Sequence, residues 1–315
     1  MQNKDSIRTL RDIYLSPSLS LSYNEPLHIV KGQGQYLYDA DGNQYLDAVN
    51  NIQHVGHCHP KIVEAAISQY RKLNTNTRYL DETMVNYAQE LTQKLPDGLD
   101  VCFFTNSGSE SNDLALRLAR HFTSSKETIV LDGAYHGNLI SLIEISPYKH
   151  NGPGGQGAPD YVHAVPMPDP FRGKYHGVDS GQEYAQEVKD ILGKIHNNGK
   201  QVSAFIAEPI LGTSAPGVTP PPDYFPTLRE ICDRHDVLLI YDEIITGWGR
   251  TGSMFAAETF GAIPDIICSG KALSNGTVPL GAMIAREDMA EAFRGDPAAG
   301  LNFAHGHTYA GSPLG

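Results

Sequence analysis

The chain has 315 residues, 40% of them hydrophobic, which is enough for one large domain or two ordinary domains with a buried core. Its 24 Lys and Arg residues face 36 Asp and Glu residues, and the resulting net charge of −12 disfavours nucleic acid as a partner. Four widely spaced cysteines fit a reducing, cytoplasmic setting, and no apolar run reaches the roughly 18 to 20 residues of a membrane span.

The predicted elements, in chain order, begin with the segment 34–47, GQYLYDADGNQYLD, which is typical of a hairpin turning at Asp41-Gly42. Helices are predicted near 60–73 and 82–95. The Pro-, Gly-, Tyr- and His-rich segment 147–182 is predicted to be a long loop.

Short apolar runs then alternate with longer amphipathic stretches, which indicates buried strands separated by helices. The strands are predicted at 101–104, 128–131, 203–208, 237–242, 265–269 and 280–285, and the helices at 110–122, 183–197 and 223–235. This alternation predicts an α/β fold with a mainly parallel sheet covered by helices on both faces.

Chemically reactive side chains follow several predicted strands directly. In open α/β sheets, ligands bind beyond the carboxyl ends of the strands. The groups at these ends are TNSGSES after 101–104, Glu208 at the end of 203–208, DEIITGWGRTG after the fourth strand, and Lys271 after the fifth. We expect them to meet at one edge of the sheet.

The segment TNSGSESND, residues 105–113, begins a predicted helix with hydroxyl groups and glycine. Free backbone N–H groups and hydroxyls at a helix N-terminus form an anion site, and phosphate is the usual occupant. A simple capped helix start is the alternative. The segment lacks the GxGxxG pattern of dinucleotide-binding proteins.

Two further groups suggest a cofactor. The carboxylates Asp242 and Glu243 end a hydrophobic strand, where a buried carboxylate needs a partner such as a protonated pyridine nitrogen, Mg²⁺ or an arginine. Lys271 lies among Ser, Gly and Ala, where desolvation lowers the pKa of an amine and lets it attack a carbonyl; an ordinary surface lysine is the alternative. Phosphate, aldehyde and pyridinium sites together specify pyridoxal 5′-phosphate (PLP).

The sequence resembles the class III, or ω-amino acid, aminotransferases, which are PLP enzymes of fold type I. The resemblance covers nearly the whole chain, because seven segments occur in the order of the family. They are YLDAVNNIQHVGHCHPKIVEA (45–65), NSGSESNDLALRLAR (106–120), AYHG (134–137), AEPILG (207–212), DEIITGWGRTG (242–252), GKALSNGTVPLGA (270–282) and HGHTYAG (305–311).

This resemblance implies three catalytic residues. Lys271 forms the Schiff base with PLP and then moves a proton between the substrate carbon and C4′ of the cofactor. Asp242 pairs with the pyridine nitrogen and keeps the ring protonated. Tyr135 stacks on one face of the ring, and Ile244 packs against the other.

The resemblance also implies further contacts to the cofactor. The phosphate is held by Ser107, Gly108 and Ser109. His136 and Glu208 complete the cofactor-binding set, with a structural histidine and a strand-end carboxylate as the alternatives. Thr308 reaches the phosphate of the neighbouring subunit, so a homodimer with shared active sites is expected.

Two features depart from the family pattern. Ile245 stands where some members carry a glutamine that reaches the phenolic oxygen of PLP. The family also continues into a C-terminal small domain that holds the carboxylate-binding arginine. We therefore expect residues 1–75 to form an N-terminal segment and residues 76–315 the large PLP-binding domain, with the small domain missing.

The expected activity is transfer of an amino group from an amine or ω-amino acid to a 2-oxo acid. The segments NNIQHVGHCHP and AYHGNLISLIEISPYK also resemble the ethanolamine-phosphate and phosphohydroxylysine phospho-lyase branch, which makes elimination of phosphate an alternative. A truncated, non-catalytic dimerising remnant is the third. No metal is expected, because the histidines of HVGHCHP (54–60) match the family turn better than a zinc cluster.

Overall fold

The computed structural model describes residues 3–215, 217–294 and 305–315. The chain divides into two compact units, Met1–Ala65 and Ala66–Gly315. No helix within the described ranges is both long and apolar enough to cross a membrane.

The described part of the first unit contains one helix, the start of a second helix and a small antiparallel sheet. Its elements are α1 (Lys4–Tyr14), β1 (Ile29–Gln33), β2 (Tyr36–Asp39) and β3 (Gln44–Leu46), with the strands in the order β1-β2-β3. The carboxylate of Asp39 accepts the backbone N–H groups of Asp41, at 3.0 Å, and Asn43, at 2.8 Å, which fixes the turn between β2 and β3. This confirms the predicted hairpin, whereas β1 was not predicted.

Helix α2 (Pro60–Lys72) spans the boundary, and the remaining elements belong to the second unit. The helices are α3 (Glu82–Thr92), α4 (Gly108–Thr123), α5 (Ile140–Glu144), α6 (Pro147–His150), α7 (Gly181–Asn197), α8 (Tyr224–Arg234), α9 (Ala256–Phe260) and α10 (Glu287–Glu291). The strands are β4 (Val101–Thr105), β5 (Glu127–Leu131), β6 (Val162–Val165), β7 (Val202–Ala207), β8 (Leu238–Asp242), β9 (Ile266–Ser269) and β10 (Gly281–Ala285).

The large sheet has the strand order β4-β10-β9-β8-β7-β5-β6. Its pairings are parallel except at β10, which is antiparallel to both β4 and β9. The predicted α/β fold type I architecture with a mainly parallel sheet is confirmed. The prediction of one long loop over 147–182 is wrong, because this segment contains α6, β6 and the first residues of α7.

Both faces of the large sheet are covered by hydrophobic side chains. In β5, Ile129 and Leu131 belong to the core on one face, and Val130 belongs to the core on the other. The same alternation continues in β7, β8, β9 and β10. Burial on both faces explains why these strands are continuous apolar runs, since each large apolar side chain stabilises the fold by about 1.5–3 kcal/mol when fully buried.

The parallel register brings the carboxyl ends of the strands to one edge. Ala207 of β7 pairs with Tyr241 of β8, and Asp242 pairs with Cys268 of β9. The residues that directly follow these positions therefore lie side by side along that edge.

Candidate active site

The N-terminus of α4 is a capped helix start that also presents free donors. The Ser107 hydroxyl accepts the Glu110 N–H at 3.1 Å, and the Glu110 carboxylate accepts the Asn106 N–H at 2.7 Å. These bonds do not use the backbone N–H groups of Gly108 and Ser109. Both groups lie in the first turn of α4, where a helix offers no internal acceptor. Capping and anion binding are therefore compatible at this helix end.

Gly108 is packed too tightly to carry a side chain. A Cβ at this position would overlap the Ile244 side chain, which lies beside the first turn of α4. The lack of a side chain lets the loop after β8 approach the helix end closely.

Asp242 ends β8 and is only 4% exposed. Its Oδ2 accepts a hydrogen bond from Asn112 Nδ2 at 2.7 Å and lies 2.9 Å from His136 Nδ1. Asn112 Nδ2 also donates to the His136 carbonyl oxygen at 2.8 Å. Because a buried carboxylate needs strong donors, the two side chains hold Asp242 in one orientation. Sequence reasoning missed Asn112.

Lys271 follows β9 and begins a short 3₁₀ turn, with a positive φ of 36° that a non-glycine residue rarely adopts. Burial lowers the pKa of its amine, the charges of Asp242 and Glu208 raise it, and that of Arg250 lowers it again, with a net decrease. A lowered pKa favours the neutral, nucleophilic form of the amine.

Trp248, for which the sequence predicts no role, connects the loop after β8 to the end of β9 through a hydrogen bond. Its indole N–H donates to Ser269 Oγ at 2.8 Å, and its φ of 69° lies in the left-handed region. Ser269 is two residues before Lys271 and is fully buried. This bond therefore restrains the strand end from which Lys271 emerges.

Glu208, 4% exposed, holds two loops together at the end of β7. Its Oε1 accepts the Tyr135 N–H and its Oε2 accepts the Gly212 N–H, both at 3.0 Å. Burial, followed by the charge of Asp242, raises the pKa of Glu208. Burial is also the main reason why the pKa of Tyr135 is raised.

These groups surround a cavity of about 150 Å³. Every predicted site residue except Thr308 lines it: Ser107, Gly108, Ser109, Tyr135, His136, Glu208, Asp242, Ile244 and Lys271. Gly137, Thr213 and Ile245 complete the lining. Thr308 is exposed and lies outside this lining. The structure thus brings the predicted residues together, and their individual roles stay predictions.

The histidine-rich segment near residue 57 has a different arrangement. His57 Nε2 lies 2.6 Å from Asp47 Oδ2, as expected for a turn held by a side-chain pair. Within the described ranges, no three His, Cys, Asp or Glu side chains are grouped so that they could hold a metal ion.

Comparison with protein families identifies the family to which this chain belongs. The model of the class III aminotransferases matches residues 20–315. The chain belongs to the class III aminotransferase family. The alanine–glyoxylate aminotransferase 2-like protein of Drosophila melanogaster is 45% identical over 312 residues, which cover 97% of this chain and 62% of that protein. The ethanolamine-phosphate phospho-lyase homolog 1 of Caenorhabditis elegans is 37% identical, over 100% of this chain and 68% of that protein.

Solved structures of both kinds of enzyme resemble this class III aminotransferase chain. A phospholyase from Arthrobacter in complex with phosphoethanolamine has a TM-score of 0.87 and 32% identity, covering 98% of this chain and 71% of that chain. A transaminase from the marine bacterium Virgibacillus has a TM-score of 0.86 and 28% identity, with 98% and 70% covered. The chain spans 62% of the length of the Drosophila relative.

The cofactor of the family is PLP, and the cavity fits it. The free N–H groups at the start of α4 suit a phosphate, and the buried carboxylate of Asp242 suits a protonated ring nitrogen. Tyr135 and Ile244 would provide walls for a flat ring, and Lys271 would provide an amine for the aldehyde.

Proposed function

We propose that this chain carries the cofactor-binding part of a transaminase that moves an amino group from an amine or ω-amino acid to a 2-oxo acid. The supporting observation is that Lys271 and Asp242 line the same small cavity as the N-terminus of α4. Membership of the class III aminotransferases supports the same activity.

Each part of the cavity has a role in this proposal. Ser107, Gly108 and Ser109 hold the phosphate, Asp242 holds the ring nitrogen, and Lys271 holds the aldehyde carbon. When bound, PLP supplies an electron sink for a bond at the carbon that bears the amino group.

The protein itself supplies a negative charge, on Asp242, and a proton carrier, the amine of Lys271. Asp242 keeps a positive charge on the ring nitrogen, because Asn112 and His136 fix its carboxylate in a buried setting. Once the substrate amine has replaced it at the aldehyde carbon, Lys271 would carry a proton from the substrate carbon to the cofactor, and burial, which lowers the pKa of its amine, favours the neutral form that accepts this proton. Tyr135, whose backbone N–H donates to Glu208, keeps its ring at the cavity wall.

The assembly proposed is a homodimer in which Thr308 reaches the partner's phosphate site. Large apolar side chains are exposed along α2, α3 and the segment between them, which supports an interface there: Tyr70, Leu73, Tyr79, Leu80 and Val85.

A cytoplasmic location is proposed on the support of four free thiols. We also propose that residues 1–75 form the N-terminal segment and residues 76–315 the large PLP-binding domain.

A phospho-lyase acting on a phosphorylated amino alcohol is the second candidate. The Caenorhabditis elegans relative and the Arthrobacter structure favour it, since both carry that activity in their names and cover nearly all of this chain. The two reactions share the cofactor site and differ in the fate of the substrate.

The test is to incubate the purified protein and PLP with amines, with and without a 2-oxo acid. Amino transfer that requires the oxo acid would support the transaminase, whereas phosphate release from O-phosphoethanolamine without an oxo acid would support the lyase. Lys271→Ala should abolish either reaction, and Lys126→Ala, at the amino end of β5, should not. A protein that binds no PLP would contradict both and support the non-catalytic alternative.

A further inference from the structure

A lysine stands beside the aromatic wall of the cavity. Lys149, in α6, places its Nζ over the Tyr135 ring, 5.6 Å from the centroid, and over the Tyr148 ring, 5.7 Å from the centroid. The two rings meet edge to face with centroids 5.9 Å apart. The Tyr148 N–H donates to the Ala134 carbonyl oxygen at 3.2 Å, which ties α6 to the segment that carries Tyr135.

The ammonium of Lys149 has aromatic rings as its neighbours, and the described ranges contain no ion pair that includes it. An ammonium has three N–H donors, and ring faces satisfy them only weakly. Lys149 is half-buried, so part of its surface remains open to solvent. It therefore keeps the capacity to bind an anion.

The charged groups that line the cavity explain why a substrate would need a second cation such as Lys149. Asp242 and Glu208 contribute two carboxylates to the lining, against the amine of Lys271. In the proposed function the charge of Asp242 is balanced by the ring nitrogen and the amine of Lys271 acts at the aldehyde, so a distal anionic group on a substrate needs a cation outside the reacting centre. Lys149 is not itself one of the residues that line the cavity, but its Nζ lies over the ring of Tyr135, which is.

We propose that Lys149 binds a distal anionic group, a phosphate monoester or a carboxylate, on the amine substrate and so selects anionic amines over neutral ones. This inference rests on the proposed function, because it assigns the substrate class of the same site. Tyr135 and Tyr148 hold the ammonium in place, and an arginine at position 149 would keep the charge.

The test compares Lys149→Gln, Lys149→Arg and the wild type on three amines: O-phosphoethanolamine, β-alanine and neutral propylamine. Lys149→Gln should raise the KM for the anionic amines about 10-fold or more, the size expected for a hydrogen bond between charged groups. The kcat, the KM for propylamine and the affinity for PLP should not change, and Lys149→Arg should restore the KM. A larger effect with O-phosphoethanolamine than with β-alanine identifies phosphate as the preferred anion.

The matched control is Lys126→Gln. Lys126 Nζ also lies over a tyrosine ring, 4.6 Å from the Tyr161 centroid, but at the amino end of β5, the end opposite to the cavity. This variant should behave as the wild type with all three amines. The other cation to compare is Arg250, whose charge acts on Lys271.

Two results would overturn the inference. One is an equal rise in KM for anionic and neutral amines in Lys149→Gln. The other is an unchanged KM in Lys149→Gln together with a selective rise for anionic amines in Arg250→Gln. If the wild type binds PLP but turns over none of the amines, calorimetric titration with O-phosphoethanolamine decides: weaker binding by Lys149→Gln supports the inference, and equal or no binding overturns it.

Discussion

Replacing Asn112 by leucine removes the amide that fixes the central carboxylate. Asn112 Nδ2 donates to Asp242 Oδ2 at 2.7 Å and to the His136 carbonyl oxygen at 2.8 Å, both in the buried interior. A hydrogen bond to a charged group contributes about 1.5–3 kcal/mol, and one to a neutral group about 1 kcal/mol. Leucine has the same number and branching of side-chain heavy atoms but cannot donate either hydrogen bond, so we expect Asn112→Leu to lower the free energy of unfolding by about 2.5–4 kcal/mol.

The assay is urea unfolding of the cofactor-free protein at neutral pH, analysed by linear extrapolation. Asn197→Leu, at the exposed end of α7, is the control and should stay within about 0.5 kcal/mol of the wild type. We also expect Asn112→Leu to bind PLP more weakly, because Asp242 is no longer held in one orientation. A loss of stability below about 1 kcal/mol in Asn112→Leu would refute the reasoning.

The other predictions concern the phosphate site and the amine. Gly108→Ala should lower the affinity for PLP, because the new methyl group overlaps Ile244; titration of the PLP absorbance measures this affinity. The control is Gly193→Ala, inside α7, where the new methyl group has open space around it. This variant should bind PLP normally and be more stable than the wild type by about 0.5–1 kcal/mol. In the cofactor-free protein, burial lowers the pKa of Lys271 below its unfolded value of 10.5. At a pH between the native and the unfolded pKa, the unfolded chain therefore binds more protons than the folded chain. The free energy of unfolding rises with pH in this range. Lys271→Met should be more stable than the wild type at neutral pH, and its advantage should shrink as the pH approaches 10.5; urea unfolding across this range checks it, and a constant difference would contradict it.

Most of the large sheet could be predicted because its strands are short apolar runs buried on both faces. Strand β8 is the clearest example, since Leu238–Asp242 combines four apolar or aromatic residues with a terminal carboxylate. Strand β6 could not be predicted in this way. It has four residues, two of them partly or fully exposed, and lies at the sheet edge within a Pro- and Gly-rich segment. Its pairing with β5 is a tertiary contact without a local pattern.

The site could be predicted where function requires an unusual residue at a strand end, as with Asp242 and Lys271. Asn112 could not be found, because a polar residue near the start of a helix is ordinary; only the packing of α4 against the sheet buries it beside Asp242. Trp248 gave no local signal either, since its partner Ser269 is 21 residues away. Lys149 fell in a segment predicted to be a loop, and its nearness to Tyr135 depends on how α6 folds back.

The most direct measurement is to load the purified protein with PLP, reduce it with borohydride and map the modified peptide by mass spectrometry. We predict a phosphopyridoxyl group on Lys271 alone, strongly diminished in Asp242→Ala and absent in Lys271→Ala. Modification of a different lysine, or equal labelling of Asp242→Ala and the wild type, would contradict the claim that these two side chains serve one cofactor.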